Sequence, residues 1–170
     1  MSTMRGSASH ASGAPRTTMR HRSISRDGRS FIARWEGFHA TRYLDVAGLP
    51  TIGWGHLIRP GELIPDPITE GEADELLVRD LYVAERSILR LVGTPLSDGQ
   101  FAALTSFTFN LGSGAFQRSR LRACVNRGDV DAAAGEFPRW CLAGGRQILG
   151  LKRRRIAEAE MFRGEVGVVG

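Results

Sequence analysis

The sequence predicts an α+β fold in two lobes, with a small N-terminal sheet joined through one long helix to a helical second half. Three patterns carry that expectation. Between about 38 and 68 a run of β-formers (Tyr43, Val46, Thr51, Ile52, Trp54) is cut by Gly48, Pro50, Gly53 and Gly55, which suits a hairpin sheet with tight turns. From 69 to 92 apolar residues form a single helical stripe. From about 96 to 163 helical spacing persists with brief interruptions. At 170 residues and 42% hydrophobic, the chain can bury one real core.

Residues 1–24 are rich in Ser, Gly, Ala, Thr and Arg without apolar periodicity and read as a disordered basic arm. Order begins in "SRDGRSFIARWEGF", where Phe31, Ile32 and Trp35 share helical spacing and Gly37 is placed to end the helix. The hairpin sheet follows, then the Pro/Gly loop "RPGELIPDP". Thr69 and Glu72 form a capping box that opens the long helix, whose stripe is Ala73, Leu76, Leu77, Leu81, Ala84, Ile88 and Leu91. "GTPLSDG" breaks it. A second box, Ser97 with Gln100, starts "FAALTSFTFNLG", apolar nearly all round as befits the centre of a bundle. Shorter helices are expected near 117–127 and 129–137, with Gly128 between them, and a last helix over 148–163 completes an all-helical second half. The run Arg153–Arg155 beside Lys152 reads as a solvated face. Residues 25–170 thus form one domain: sheet lobe 38–68, linking helix 69–92, helical lobe 96–163. A groove between the lobes is the expected ligand site.

The net charge of +5 is concentrated at one end, since residues 1–30 carry six arginines against one aspartate. The remainder is neutral but polarised, with four basic and nine acidic residues over 59–98 and ten basic and three acidic over 99–155. The basic half suits a polyanionic partner or is simply a set of solvated helix faces. No apolar run reaches the length of a membrane span, and the N-terminus lacks the apolar region of a secretory signal. Two cysteines, Cys124 and Cys141, are too few for a disulfide scaffold and are expected as buried free thiols.

Few polar residues near the expected groove could do chemistry. Glu36 closes the first helix, Asp45 lies on the hairpin and Thr51 begins the next strand. Glycoside hydrolysis needs one carboxylic acid to protonate the leaving oxygen and a second group to manage water on the opposite face. Glu36, beside Trp35, is expected in apolar surroundings that keep it protonated, while Asp45 stays ionised on an open turn. Thr51 can accept a hydrogen bond from a water that Asp45 activates. Each has an ordinary alternative as a helix-end Glu, a turn Asp or a strand Thr.

The segment "RWEGFHATRYLDVAGLPTIGWGHL" closely resembles the catalytic segment of the phage-type lysozymes, the endolysins of glycoside hydrolase family 24. Glu36, Gly37, Tyr43, Asp45, Gly48, Thr51, Ile52, Gly53, Gly55 and His56 fit that family's frame, and "SFTFNLGSGAFQRSRLRACVNRGD", "FPRWCLAGGR" and "GLKRRRIAEAE" extend the resemblance over about residues 25–163. The resemblance implies a lysozyme-like fold and a muramidase that cleaves the β-1,4 bond between N-acetylmuramic acid and N-acetylglucosamine in bacterial peptidoglycan, with inversion. It makes Glu36 the general acid and gives Asp45 and Thr51 the nucleophilic water. Inversion needs the carboxyls about 6.5–9.5 Å apart. It implies no cofactor and no metal.

Leu57, Phe109 and Ser119 match positions that line the sugar groove, against the alternatives of core packing for the first two and a helix N-cap for Ser119. His56 is implied to face Asp80 of the long helix as a structural ion pair, with the imidazole protonated at moderate pH. Asn110, Arg139, Trp140 and Arg146 fall in family-like segments; Arg146 either meets a carboxylate of the muramyl or peptide stem or is an ordinary surface arginine. Peptidoglycan is the implied partner, with no nucleic acid, no stable membrane insertion and a monomeric state. Some relatives begin with a signal-anchor, whereas this N-terminus is polar and arginine-rich. The expectation is therefore retention in the host bacterial cytoplasm until a holin or lysis gives access to the wall. A lytic transglycosylase and a non-catalytic wall-binding or nucleic-acid-binding module are the alternatives; Asp45 and Thr51 disfavour the first, and intact Glu36, Asp45 and Thr51 disfavour the second.

Overall fold

The computed structural model describes residues 22–164. Chain order is α1 (Arg26–Glu36), a sheet of β1 (His39–Leu44), β2 (Pro50–Gly53) and β3 (His56–Leu57), then α2 (Glu70–Leu91) and α3 (Asp98–Leu111). Four helices follow, α4 (Ser113–Arg118), α5 (Arg120–Asn126), α6 (Val130–Glu136) and α7 (Leu149–Arg163). Between α6 and α7 lie a 3-10 turn (Phe137–Arg139) and the strands β4 (Leu142–Ala143) and β5 (Arg146–Gln147). The fold is α+β and lysozyme-like.

The sheet is antiparallel in the order β1-β2-β3, pairing Tyr43 with Thr51, Thr51 with Leu57 and Ile52 with His56. Both capping boxes form. The Thr69 hydroxyl accepts from Glu72 N while the Glu72 carboxylate takes the Thr69 N–H, and Ser97 with Gln100 does the same for α3. These contacts satisfy amide donors that a helix start leaves without partners.

Two apolar clusters hold the molecule. The larger surrounds α3, where Phe101, Leu104 and Phe107 are enclosed by α1, α2 and the later helices; the smaller joins Ile52, Ile64 and Ile68 to Ala73 and Leu76 of α2. Helix α2 feeds both, because Leu77, Leu81 and Ile88 on its later turns belong to the larger. Trp54 packs against both and donates from Nε1 to Asp74 Oδ1 at 2.9 Å. Cys124 and Cys141 are free and buried.

The structure corrects three expectations. Residues 22–24, read as the end of a disordered arm, are packed: Ile24 is 4% exposed and donates its N–H to Glu85 Oε1 at 2.8 Å. Arg22 donates to Leu96 O, pairs with Asp98 and stacks over Phe101. One buried isoleucine gives no periodicity, so composition hides it. The remainder of the arm, residues 1–21, lies outside the described residues. Second, the later half is not all helical, because β4 and β5 form a hairpin whose turn is Gly144–Gly145 at φ +56° and +76°. Paired positive φ is what a tight two-residue hairpin needs and what glycine supplies. Third, the basic run is split: Lys152 and Arg153 are exposed as expected of a solvated face, but Arg154 is 4% exposed and Arg155 is fully enclosed.

Candidate active site

Helix α1 ends where the site begins. Its start is capped by Ser25, whose side chain accepts from Gly28 N, and it stops at Gly37, which takes φ +78° and returns its N–H to Ala33 O. That stop leaves Glu36 as the last helical residue, with its side chain 21% exposed. Gly55, in the turn between β2 and β3 at φ +85°, stands against it, and a Cβ there would lie 3.9 Å from Glu36 Oε2.

The expected apolar setting for Glu36 is not found. Its Oε1 accepts from Arg154 Nη1 of α7, 118 residues away in sequence, at 2.7 Å. Arg154 also donates from Nε to Glu158 Oε1 at 3.3 Å and from Nη2 to Ser106 Oγ at 3.2 Å. Burial pushes the Glu158 carboxyl upward, and the neighbouring guanidiniums and the Ser106 hydroxyl oppose it. Arg155 faces Glu158 at 2.9 Å, donates to Asn110 Oδ1 at 2.5 Å and stacks over the Phe107 ring.

Asp45 closes the β1–β2 turn. Its Oδ1 accepts from Ala47 N at 2.8 Å and Leu49 N at 2.9 Å, leaving Oδ2 without a partner among the described residues. Thr51 is 3% exposed, and its hydroxyl donates to Leu49 O at 3.0 Å. With the proton so committed, the oxygen is left to accept. Tyr43, the cross-strand partner of Thr51, lies in the field of both carboxylates. Burial first, then the charges of Asp45 and Glu36, push its phenol upward. Tyr43, which the sequence marked only as part of the motif, is thus paired with Thr51 and feels the charges of Asp45 and Glu36.

His56 is 5% exposed and sits between two carboxylates. Nδ1 is 2.8 Å from Asp80 Oδ2, as expected, and Nε2 is 3.1 Å from Glu62 Oε2, which was not anticipated. Each ring nitrogen thus has a carboxylate partner. The Arg59 amide and then His56 hold the Glu62 carboxyl below the usual range, while burial pushes Asp80 up against the pull of His56. The histidine thus braces sheet, loop and α2.

Of the expected groove residues, Leu57 is 44% exposed and pairs across the sheet with Thr51, on the site's own strands. Phe109 is half-buried at the end of α3 and packs on the larger cluster. Ser119 is 6% exposed and caps α5, accepting from Arg122 N at 3.0 Å and donating to Phe116 O at 2.7 Å. The capping alternative describes it, and its proton is not offered outward. Arg139 pairs with Glu136, and Arg146 is exposed in the β4–β5 hairpin. Arg154, Ser106, Glu158 and Glu62 were missed. Arg154 and Glu158 stand four apart, the spacing of a helical ion pair, and that was the available signal. Among the described residues no group of three or more His, Cys, Asp or Glu is placed to hold a metal ion.

Known proteins share this sequence pattern and fold. The phage lysozyme family model matches residues 33–158. The endolysin of Salmonella phage P22 is 38% identical over 135 residues, covering 78% of this chain and 92% of its own. The SAR-endolysin of Bacteriophage PS119 is 36% identical over 129 residues, covering 74% of this chain and 75% of its own. The solved structure of a point mutant of P22 lysozyme superposes with a TM-score of 0.77 at 36% identity, over 84% of this chain and 99% of that one. With the fold, the family match and relatives of this similarity in agreement, the chain belongs to the phage lysozyme family and is a glycosidase of the lysozyme type.

Proposed function

We propose that the protein is a peptidoglycan muramidase that hydrolyses the β-1,4 bond between N-acetylmuramic acid and N-acetylglucosamine with inversion. The observation that carries this reading is the complementary state of the hydroxyl and carboxylate on the hairpin. Thr51 has given its proton to Leu49 O and retains an acceptor, and Asp45 keeps Oδ2 open. A water between them donates to Thr51, loses its second proton to Asp45 and attacks the anomeric carbon. Glu36, as general acid, gives its proton to the departing glycosidic oxygen on the opposite face. The Arg154 N–H on Oε1 keeps the carboxyl oriented and leaves Oε2 toward the Gly55 turn. Leu57 and Phe109 offer apolar surface to the sugar rings; Ser119 contributes by setting the start of α5.

The enzyme acts on the bacterial wall as a monomer, with no role for nucleic acid. Among the described residues no helix is long and apolar enough to cross a membrane. We infer that the protein waits in the host cytoplasm for a holin or another membrane lesion.

The test is clearing of cell-wall suspensions by wild type, Glu36→Gln and Thr51→Glu, with NMR of the fresh product anomer. Glu36→Gln keeps the shape and removes the proton donor, so clearing falls at least ~10²-fold. Thr51→Glu puts a carboxylate where the water sits and also loses hydrolysis. The product is a reducing sugar of inverted configuration; an anhydro product identifies a transglycosylase instead. Undiminished clearing by Glu36→Gln overturns the mechanism.

A further inference from the structure

Glu158 is separated from Glu36 by the Arg154 guanidinium, and it is fully enclosed and bound by two arginines. Its Oε1 accepts from Ser106 Oγ at 2.6 Å and from Arg154 Nε at 3.3 Å, and Arg154 Nη2 donates to Ser106 Oγ at 3.2 Å. The three side chains close a ring. A guanidinium is planar, so pinning Nε and Nη2 decides where the remaining nitrogen points. That nitrogen, Nη1, lies 2.7 Å from Glu36 Oε1.

We propose that Glu158 is a positioning residue for Glu36: with Ser106 it orients Arg154, and it takes up positive charge from Arg154 and Arg155. Glu36 then receives one directed N–H instead of serving as the sole counter-ion of two guanidiniums. The proposal rests on Glu36 being the proton donor. Two cations stand on this side of the site, and two carboxylates oppose them. Glu36 is faced by Arg154 of α7 and by uncharged Gly55, and its charge is also felt at Arg155 of α7 and at Tyr43 of the hairpin. Glu158 is faced by the same two arginines and by Ser106 of α3, while Asn110 takes another edge of Arg155. Neutralising Glu158 therefore throws both positive charges onto Glu36, which favours its ionised form and removes the acid at lower pH.

The experiment measures kcat and KM of the full chain on soluble glycan strands from about pH 4 to pH 9. In Glu158→Gln the alkaline limb of kcat/KM moves down by about one pH unit, the scale of a lost neighbouring charge. The rate on that limb falls about tenfold, while KM at the optimum is unchanged. A folded Glu158→Gln with an unmoved limb overturns the proposal, even if its thermal midpoint drops. Should that variant not fold, Glu158→Asp decides. It keeps the charge but withdraws it by one methylene, so kcat falls severalfold at unchanged KM with the limb near its wild-type position. A wild-type kcat in Glu158→Asp overturns the positioning role. Glu36→Gln runs alongside. Its retention of activity would sink the underlying mechanism, whereas an inactive Glu36→Gln beside an unmoved limb in Glu158→Gln sinks this inference alone.

Discussion

At the scale of single residues, the motif around "TIGWGH" divides its labour. Thr51 is nearly buried and its hydroxyl oxygen is left only to accept, so its proposed contribution is chemical. Thr51→Val keeps the shape and removes the hydroxyl; hydrolysis is expected to fall about 10²-fold with little change in unfolding midpoint, as initial rates and urea titration would show. For His56 the proposed role is structural. Its two carboxylate partners tie β3 to the loop and to α2, so His56→Gln leaves Asp80 and Glu62 without their shared donor. The expected cost is about 3 kcal/mol in chemical unfolding, with the folded fraction retaining most of its activity. A small stability loss with large activity loss would make His56 a participant in the chemistry. Glu36, Asp45 and Thr51 could be named as candidates because their spacing is local and the motif around them is distinctive. Arg154 was not, because 118 residues separate it from Glu36. An arginine within a basic run looks like surface until the fold encloses it.

At the scale of elements, local chemistry marked the starts of α2 and α3, whereas the one helix expected near 117–127 is broken at Ser119 into α4 and α5. Both capping boxes were visible as residue pairs three apart, and both close in the structure. Thr69→Ala and Ser97→Ala should each lower stability by about 1 kcal/mol, measurable as separate shifts in urea midpoint. The segment before α1 was misread because its anchoring is tertiary: Ile24 fills a core position and its amide reaches Glu85 on α2. Ile24→Ala is accordingly expected to cost about 3 kcal/mol, where a disordered position would cost nothing. The β4–β5 hairpin escaped notice because two-residue strands leave no alternation to detect, even though Gly144–Gly145 marked the turn.

At the scale of the whole molecule, α2 and Trp54 join the two apolar clusters, so sheet and bundle share packing as well as chain. Stability against acid depends on opposing carboxylates. Backbone and side-chain hydrogen bonds hold Glu62 and Glu72 below their ordinary range, so what they contribute is present above about pH 4.3 and is lost as pH falls through their lowered values. Burial pushes Asp80 and Glu158 the other way, so each takes up its proton more readily folded than unfolded and opposes that trend. Glu62→Gln should therefore flatten the decline in unfolding midpoint between about pH 5 and pH 3. An unchanged slope in thermal scans across that range would remove Glu62 from the account.

The sequence by itself determined the fold class, the long helix with its caps, the turn chemistry of the first hairpin and the candidate triad Glu36, Asp45 and Thr51. All of these depend on residue spacing and backbone conformation over short distances. Only the tertiary structure decided what surrounds the triad. Arg154 replaces the expected apolar setting of Glu36, Glu62 joins Asp80 around His56, Ser119 spends its hydroxyl on a cap, and Glu158 is sealed between two arginines. The physical reason is common to them. A charged side chain can be taken from water only when partners are brought to it, and those partners come from elements that meet only after the chain has folded.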